Sequence, residues 1–131
     1  MLFGKYGVNN MNRLMQNIVN EDMLMIIENL GDLIKKFEGK KILITGYQGF
    51  LGSNFCAFFS VLNDAILKNK VEVTCLDNRI VDLEDETILF SDKFNIIIGD
   101  TLKDLPQIDF DYIIHCAGIA SPTFYRKYPL D

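Results

Sequence analysis

Residues 42–54, ILITGYQGFLGSN, join a short β-branched apolar run to three glycines spaced G-x-x-G-x-x-G and then to an apolar segment of helical length. A strand that ends in glycine and passes directly into a helix is a restrictive local plan. It predicts that Gly46 makes a tight turn, that Gly49 lets the backbone approach a ligand with no side chain between them, and that Gly52 lets the helix lie close to the strand. The helix amino terminus then offers unpaired N–H groups, from about Phe50 and Leu51, to phosphate oxygens. The competing reading is that the three glycines serve tight packing alone. A Walker-type phosphate loop is excluded, because no Gly-Lys-Ser/Thr follows.

The rest of the chain repeats the strand signal. After KKILITG at 40–46, the runs at Val71–Asn78, Lys93–Asp100 and Phe110–Gly118 are short, apolar and nearly continuous rather than alternating. FLGSNFCAFFSVLNDAILKN reads as a helix covered by sheet and neighbours, and residues 79–93 are polar with a short helical piece. Continuous apolar strands separated by helices or long crossovers predict an α/β fold with a parallel sheet covered on both faces. Right-handed crossovers give a Rossmann-like doubly wound sheet of order 3-2-1-4, incomplete because the flank of the fourth strand has no encoded neighbour.

Two regions follow. Residues 40–131 form a partial dinucleotide-binding domain, and residues 1–39 form an amino-terminal extension. In the extension, Met23, Ile26, Ile27, Leu30, Leu33, Ile34 and Phe37 recur at spacings of three and four, predicting an amphipathic helix over about 21–38. Glu21 and Asp22 at its start and Lys35 and Lys36 near its end would complement the helix dipole. Residues 1–20 lack periodicity and are expected to be loosely ordered or to pack on something that local sequence does not define.

The net charge of −5 argues against a nucleic-acid footprint or an anionic membrane surface as partner. Any phosphate-bearing ligand is therefore held by local geometry rather than by a global field. Cys56, Cys75 and Cys116 sit in apolar runs with no C-x-x-C pair, which reads as buried free thiols rather than a metal or redox site. No basic segment precedes a continuous apolar stretch, and no apolar run approaches the roughly 20 residues of a membrane span, so a cytoplasmic protein is expected.

Two acidic residues extend the site. Asp77 ends the second strand, where a carboxylate can accept hydrogen bonds from ribose hydroxyls and repel a 2′-phosphate, favouring NAD over NADP; Asn78 adjoins it. Its spacing from Gly46 is 31 residues, against roughly 20 in the usual motif, and a first helix about two turns longer would absorb the difference. Arg79 nearby weakens the exclusion of NADP, and a surface-loop aspartate is the competing reading. Asp100 in IIIGDT is placed to accept from an adenine amino group, with Thr101 and Leu102 lining the pocket. A turn or capping role explains Asp100 equally well.

Taken together, ITGYQGFLGSN, CLDN, IIIGD and IIHCAG resemble the extended short-chain dehydrogenase/reductase family, within it the NAD-dependent epimerases and dehydratases of nucleotide sugars. The resemblance implies NAD as cofactor and a nucleotide-sugar substrate, while the amphipathic helix over about 21–38 reads as packed on the domain surface or in a homodimer contact. The resemblance also implies that the segment His115, Cys116, Ala117 and Gly118 follows the fourth strand and packs along the cofactor ribose, with Ala117 and Gly118 as cofactor-binding residues. His115, the single histidine, is assigned a structural rather than an acid–base role. ASPTFYRKYP is similar to a stretch of UDP-glucuronate decarboxylases, which implies a substrate site near Ser121 and Tyr125; a plain turn with an exposed aromatic is the alternative.

That family's chemistry uses a Tyr-x-x-x-Lys pair, in which the lysine lowers the tyrosine pKa so that the phenolate serves as base while hydride passes to the nicotinamide. None of Tyr6, Tyr47, Tyr112, Tyr125 and Tyr128 has lysine four positions on. No catalytic residue is assigned. The expectation is a truncated amino-terminal part of such an enzyme, with a non-enzymatic NAD-binding or partner module as the alternative and a reductase of small carbonyls as a weaker third.

Overall fold

In the computed structural model, the described residues are 4–78, 90, 92–118 and 126–127, with side chains from residue 15 onward. Helix α1 (Gly4–Leu30) leads through a 3₁₀ segment (Gly31–Phe37) into strand β1 (Lys41–Thr45) and helix α2 (Phe50–Ala65). Strands β2 (Glu72–Asp77), β3 (Asn95–Ile98) and β4 (Tyr112–His115) follow. The four strands form one parallel sheet in the order β3-β2-β1-β4, as the sequence predicts.

The alternation of the strands sorts their side chains. Ile42 and Ile44 of β1, Val73 and Cys75 of β2, Ile96 of β3 and Ile114 of β4 face a core shared with Cys56, Phe58, Phe59 and Leu62 of α2 and Met23 and Ile27 of α1. The amino-terminal segment thus joins the same core as the sheet. On the opposite face Leu43, Thr45, Thr74 and Leu76 are buried as well, so the centre of the sheet is covered on both sides. Phe37 sits edge-on to Phe58, Phe59 and Tyr112, tying the 3₁₀ segment to both α2 and β4.

The amino-terminal helix departs from its predicted bounds at both ends. It starts at Gly4 rather than near Glu21, so Glu21 and Asp22 lie in mid-helix and no acidic residue occupies the first turn. It stops at Leu30 because Gly31 adopts φ +54, a left-handed conformation that ends α-helical bonding. The tighter 3₁₀ winding that follows takes Leu33 off the helical stripe, leaving it 53 % exposed, while Ile34 and Phe37 still pack against the core. Ile26, also assigned to the buried stripe, is 41 % exposed because Met23 and Ile27 occupy the contact with the core.

Side chains fasten the elements at their ends. Asn63 of α2 accepts from Val71 N at 2.8 Å and donates to Val71 O at 2.9 Å, setting the start of β2 against the helix. Asp111 does the same for β1, its Oδ2 accepting from Lys41 N at 2.8 Å and its Oδ1 lying 3.4 Å from Lys40 Nζ. The Lys41 N–H foremost, with the Lys40 charge assisting, holds the Asp111 carboxyl below its ordinary value of 3.8. A carboxyl with a lower pKa folded than unfolded stabilises the fold fully above the unfolded value, and that stabilisation is lost as pH falls through the folded value. Asp111→Asn is therefore expected to be less stable than the parent at pH 7. The difference should begin to narrow as pH falls below about 4 and close only below the lowered folded value, as read from urea midpoints across pH. A gap that does not change with pH would contradict this role.

The cysteines are free thiols. Cys56 and Cys75 are fully buried with sulfurs 3.6 Å apart, and the neighbouring Cys56 together with burial pushes the Cys75 thiol strongly up, away from thiolate formation. Cys116 differs from the expectation: it is only partly buried, because it lies just past the end of β4, where the sheet opens.

Candidate functional site

The carboxyl ends of the four strands lie at about one level in the sheet, and the ladder hydrogen bonds continue one step beyond β1, β3 and β4. Gly46 N donates to Leu76 O at 2.8 Å, Gly99 N to Asp77 O at 2.9 Å and Cys116 N to Thr45 O at 3.0 Å. Three loops therefore leave the sheet side by side. Between them lies a cleft of about 550 Å³, lined on one side by Gly46, Gly49, Asp77 and Asn78. Asp100, Thr101 and Leu102 line it at the β3 end, and His115, Cys116, Ala117 and Gly118 at the β4 end. Openings at the carboxyl ends of parallel strands, where the chain departs in opposite directions, are the common ligand position of this architecture.

Each glycine has a separate geometric reason. Gly46 has φ +65, and a Cβ there would lie 2.6 Å from Ala117 N and 2.7 Å from Ala117 Cα, so this glycine both turns the chain and admits the β4 loop. A Cβ on Gly52 would lie 2.3 Å from Gly46 O and 2.6 Å from Tyr47 Cα. Its absence lets α2 press onto the turn itself, not merely onto the strand. Gly49 is different. Its φ of −72 and ψ of 172 suit any residue, and among the described residues a Cβ would meet only Gly46 O, at 3.3 Å. The missing side chain leaves open space at the cleft wall, the cradle a bulky anionic ligand would need.

Gly49 is also the N-cap of α2, and no side chain caps the helix. The first intrahelical bond runs from Ser53 N to Gly49 O at 2.9 Å, so by helix geometry the N–H groups of Phe50, Leu51 and Gly52 precede the ladder. The side chains of Phe50 and Leu51 are exposed at 84 % and 60 %, and neither lines the cleft; Leu51 borders a separate apolar groove between α2, β4 and the amino-terminal helix. What these two residues can bring to a cleft ligand is backbone.

Asp77 is buried at the end of β2 and its Oδ2 accepts from Gln48 N at 3.0 Å, linking the carboxylate directly to the glycine turn. The 31-residue interval between Gly46 and Asp77 is taken up by the 16-residue helix α2 and the loop 66–71, rather than by a helix running to residue 69. Asp100 serves its own loop: Oδ1 accepts from Leu102 N at 2.8 Å, Oδ2 lies 3.6 Å from Lys103 Nζ, and Asp100 N donates to Asp104 Oδ2 at 2.7 Å. These bonds express the turn role while leaving Asp100 on the cleft wall.

Tyr47, between the first two glycines, is fully buried beneath the turn, with its hydroxyl 3.4 Å from Gln48 Nε2, and burial pushes its pKa up. Thr45 was not singled out by the motifs, yet it connects two walls of the cleft. Its Oγ1 lies 2.6 Å from His115 Nδ1 and accepts from Ala117 N at 3.3 Å. Leu43, Leu76 and Ile113 complete the floor. The period-two alternation of β1 and β4 was the available signal, since Leu43 pairs with Ile113 and Thr45 with His115. Ser121, Tyr125 and Arg79 lie outside the described residues. Among the described residues no helix is long and apolar enough to cross a membrane.

Comparison with known proteins agrees with this geometry. The family model described as "NAD dependent epimerase/dehydratase family" matches residues 42–131. Two curated relatives, UDP-glucuronic acid decarboxylase 1 of Danio rerio and of Xenopus tropicalis, are each 34 % identical over 93 residues, covering 70 % of this chain and 20 % of the relative. The chain thus spans about a fifth of the length of the curated relatives it matches. No solved structure gives a significant match. On a match that takes in the glycine turn, Asp77, the β3 loop and the β4 loop, this chain belongs to the NAD-dependent epimerase/dehydratase family.

Proposed function

We propose that these 131 residues are the NAD-binding portion of a nucleotide-sugar epimerase, dehydratase or decarboxylase. The carrying observation is the convergence on one cleft of an uncapped helix amino terminus, an open glycine and a buried carboxylate at the next strand end. The pyrophosphate would lie against Gly46 and Gly49, with backbone N–H groups at Phe50, Leu51 and Gly52 supplying the positive end of the helix dipole. Among the described residues that line the cleft there is no lysine or arginine, so the backbone would hold the anion, in keeping with the acidic chain.

Asp77 accepts from the adenine-ribose hydroxyls. Its charge disfavours a 2′-phosphate, which selects NAD. Asn78, Asp100 and Thr101 flank the adenine, and Ala117 and Gly118 the nicotinamide ribose. Ser121 and Tyr125 would meet the nucleotide sugar. The bound nicotinamide supplies a hydride acceptor, and this chain's described residues bind and orient it. The second reading is a non-enzymatic NAD-binding or partner module of the same fold.

Calorimetric titration of the full chain with NAD and NADP tests the site. NAD is expected to bind at least tenfold more tightly than NADP. Asp77→Ala should weaken NAD about tenfold or more, the scale of hydrogen bonds to a charged acceptor. Asp77→Asn, which keeps an acceptor for Gln48 N, should narrow the NAD/NADP ratio. Tighter binding of NADP to the parent chain, or affinities unaltered by both variants, would refute the assignment.

A further inference from the structure

Thr45 is 1 % exposed, so its hydroxyl must satisfy both its oxygen and its proton inside the protein. Two groups reach Oγ1. Ala117 N–H, at 3.3 Å, can only donate, and therefore takes one of the oxygen's lone pairs. His115 Nδ1, at 2.6 Å, is the other. The hydroxyl proton needs an acceptor, and of these two groups only an unprotonated Nδ1 can provide it. If Nδ1 carried the proton instead, Oγ1 would receive two donors and its own proton would be left without either as partner, the costly outcome for a buried polar group.

The bond direction therefore runs from Ala117 N–H to Thr45 Oγ1 and from Thr45 O–H to His115 Nδ1. It places the ring proton on Nε2, on the edge of the imidazole turned away from Thr45. His115 is exposed and lines the cleft, at the end of β4 opposite Asp77. We propose that Thr45 holds His115 in its Nε2–H tautomer, and that this N–H donates to an oxygen of the dinucleotide bound in the cleft. Thr45 is thus a positioning residue and His115 a binding residue, with no proton transferred by either. The donor role rests on the reading of the cleft as an NAD site; the tautomer does not.

His115 is the only histidine in the chain, so a sample labelled with ¹⁵N in histidine gives a single pair of ring nitrogens. At pH 8 the apo full chain is expected to show a protonated Nε2 and an unprotonated Nδ1. Thr45→Ser should keep that pattern, and Thr45→Val should lose the bias toward it. On addition of NAD the Nε2 resonance should move, and His115→Ala should weaken NAD about five- to tenfold, the worth of one hydrogen bond.

A protonated Nδ1 in the apo parent chain overturns the proposal. So does NAD binding by calorimetry that leaves both the Nε2 resonance and the affinity of His115→Ala unaltered. If NAD does not bind at all, the cofactor reading falls and the donor role falls with it. The apo spectrum tells that case apart, because it reports the tautomer without any cofactor.

Discussion

Gly52→Ala is expected to destabilise the protein by about 3 kcal/mol or to prevent its folding, although the position lies inside a helix. At an unconstrained helical site the same change stabilises by about 1 kcal/mol, because alanine restricts the unfolded chain and favours helix. Here the new Cβ would sit 2.3 Å from Gly46 O and 2.6 Å from Tyr47 Cα. Both are backbone atoms of a turn that is itself held by Gly46 N to Leu76 O and by the Gln48–Asp77 bond, so neither can yield alone. Relief requires α2 to move off the turn, and α2 carries Cys56, Phe58, Phe59 and Leu62 into the core. Since a domain's whole stability is only about 5–15 kcal/mol, a loss of this size is a large share of it. Urea denaturation decides the matter through the sign: a midpoint equal to or above that of the parent would show that the close approach does not constrain the fold.

Gly49→Val is expected to do the opposite, sparing the fold and abolishing the site. Gly49 has backbone angles open to any residue, and among the described residues its Cβ would touch only Gly46 O, at 3.3 Å. The stability cost is that of a poor N-cap, about 1 kcal/mol. The two methyl groups, however, would occupy the space at the cleft wall where an approaching pyrophosphate needs bare backbone. Losing one charge-assisted hydrogen bond costs about 2 kcal/mol, and displacing the phosphates from several of them should weaken NAD by more than about thirtyfold. Calorimetry and urea denaturation on the same preparation separate the two effects. Unchanged NAD affinity in a folded Gly49→Val chain would remove the glycine turn from the proposed site.

Taken as a pair, these substitutions show why one motif contains two kinds of glycine. Gly46 and Gly52 are small because protein backbone lies against them. At Gly49 the described neighbour of an added Cβ is one carbonyl oxygen, and the proposed pyrophosphate would take the space beside it.

The elements that could be read from the sequence were those set by near neighbours in the chain. ILIT followed by glycine could be placed as a buried strand leading to a turn, and the parallel order 3-2-1-4 followed from the spacing of four such runs together with the handedness of their crossovers. Asp77 could be placed at the end of β2, because a continuous apolar run terminates in it. The helix before β1 was read less well. Its apolar spacing holds as far as Leu30, but the change to 3₁₀ winding depends on a single glycine, Gly31, whose left-handed φ a spacing rule does not register.

Only the tertiary structure could decide which atoms meet in the cleft. Thr45 and His115 are 70 residues apart, and their contact exists because β1 and β4 pair in a register that sets one opposite the other. Asp77 reaches Gln48 across 29 residues for the same kind of reason. Tyr47 turns inward beneath the glycines, where a motif position between two glycines would equally allow it to face solvent. The sequence by itself determined the strand–turn–helix unit and the sheet it belongs to, since these rest on local periodicity and on backbone freedom at glycine. The pairing of carboxylate with turn, and of hydroxyl with imidazole, was decided by strand register and by the burial of polar groups that must find partners.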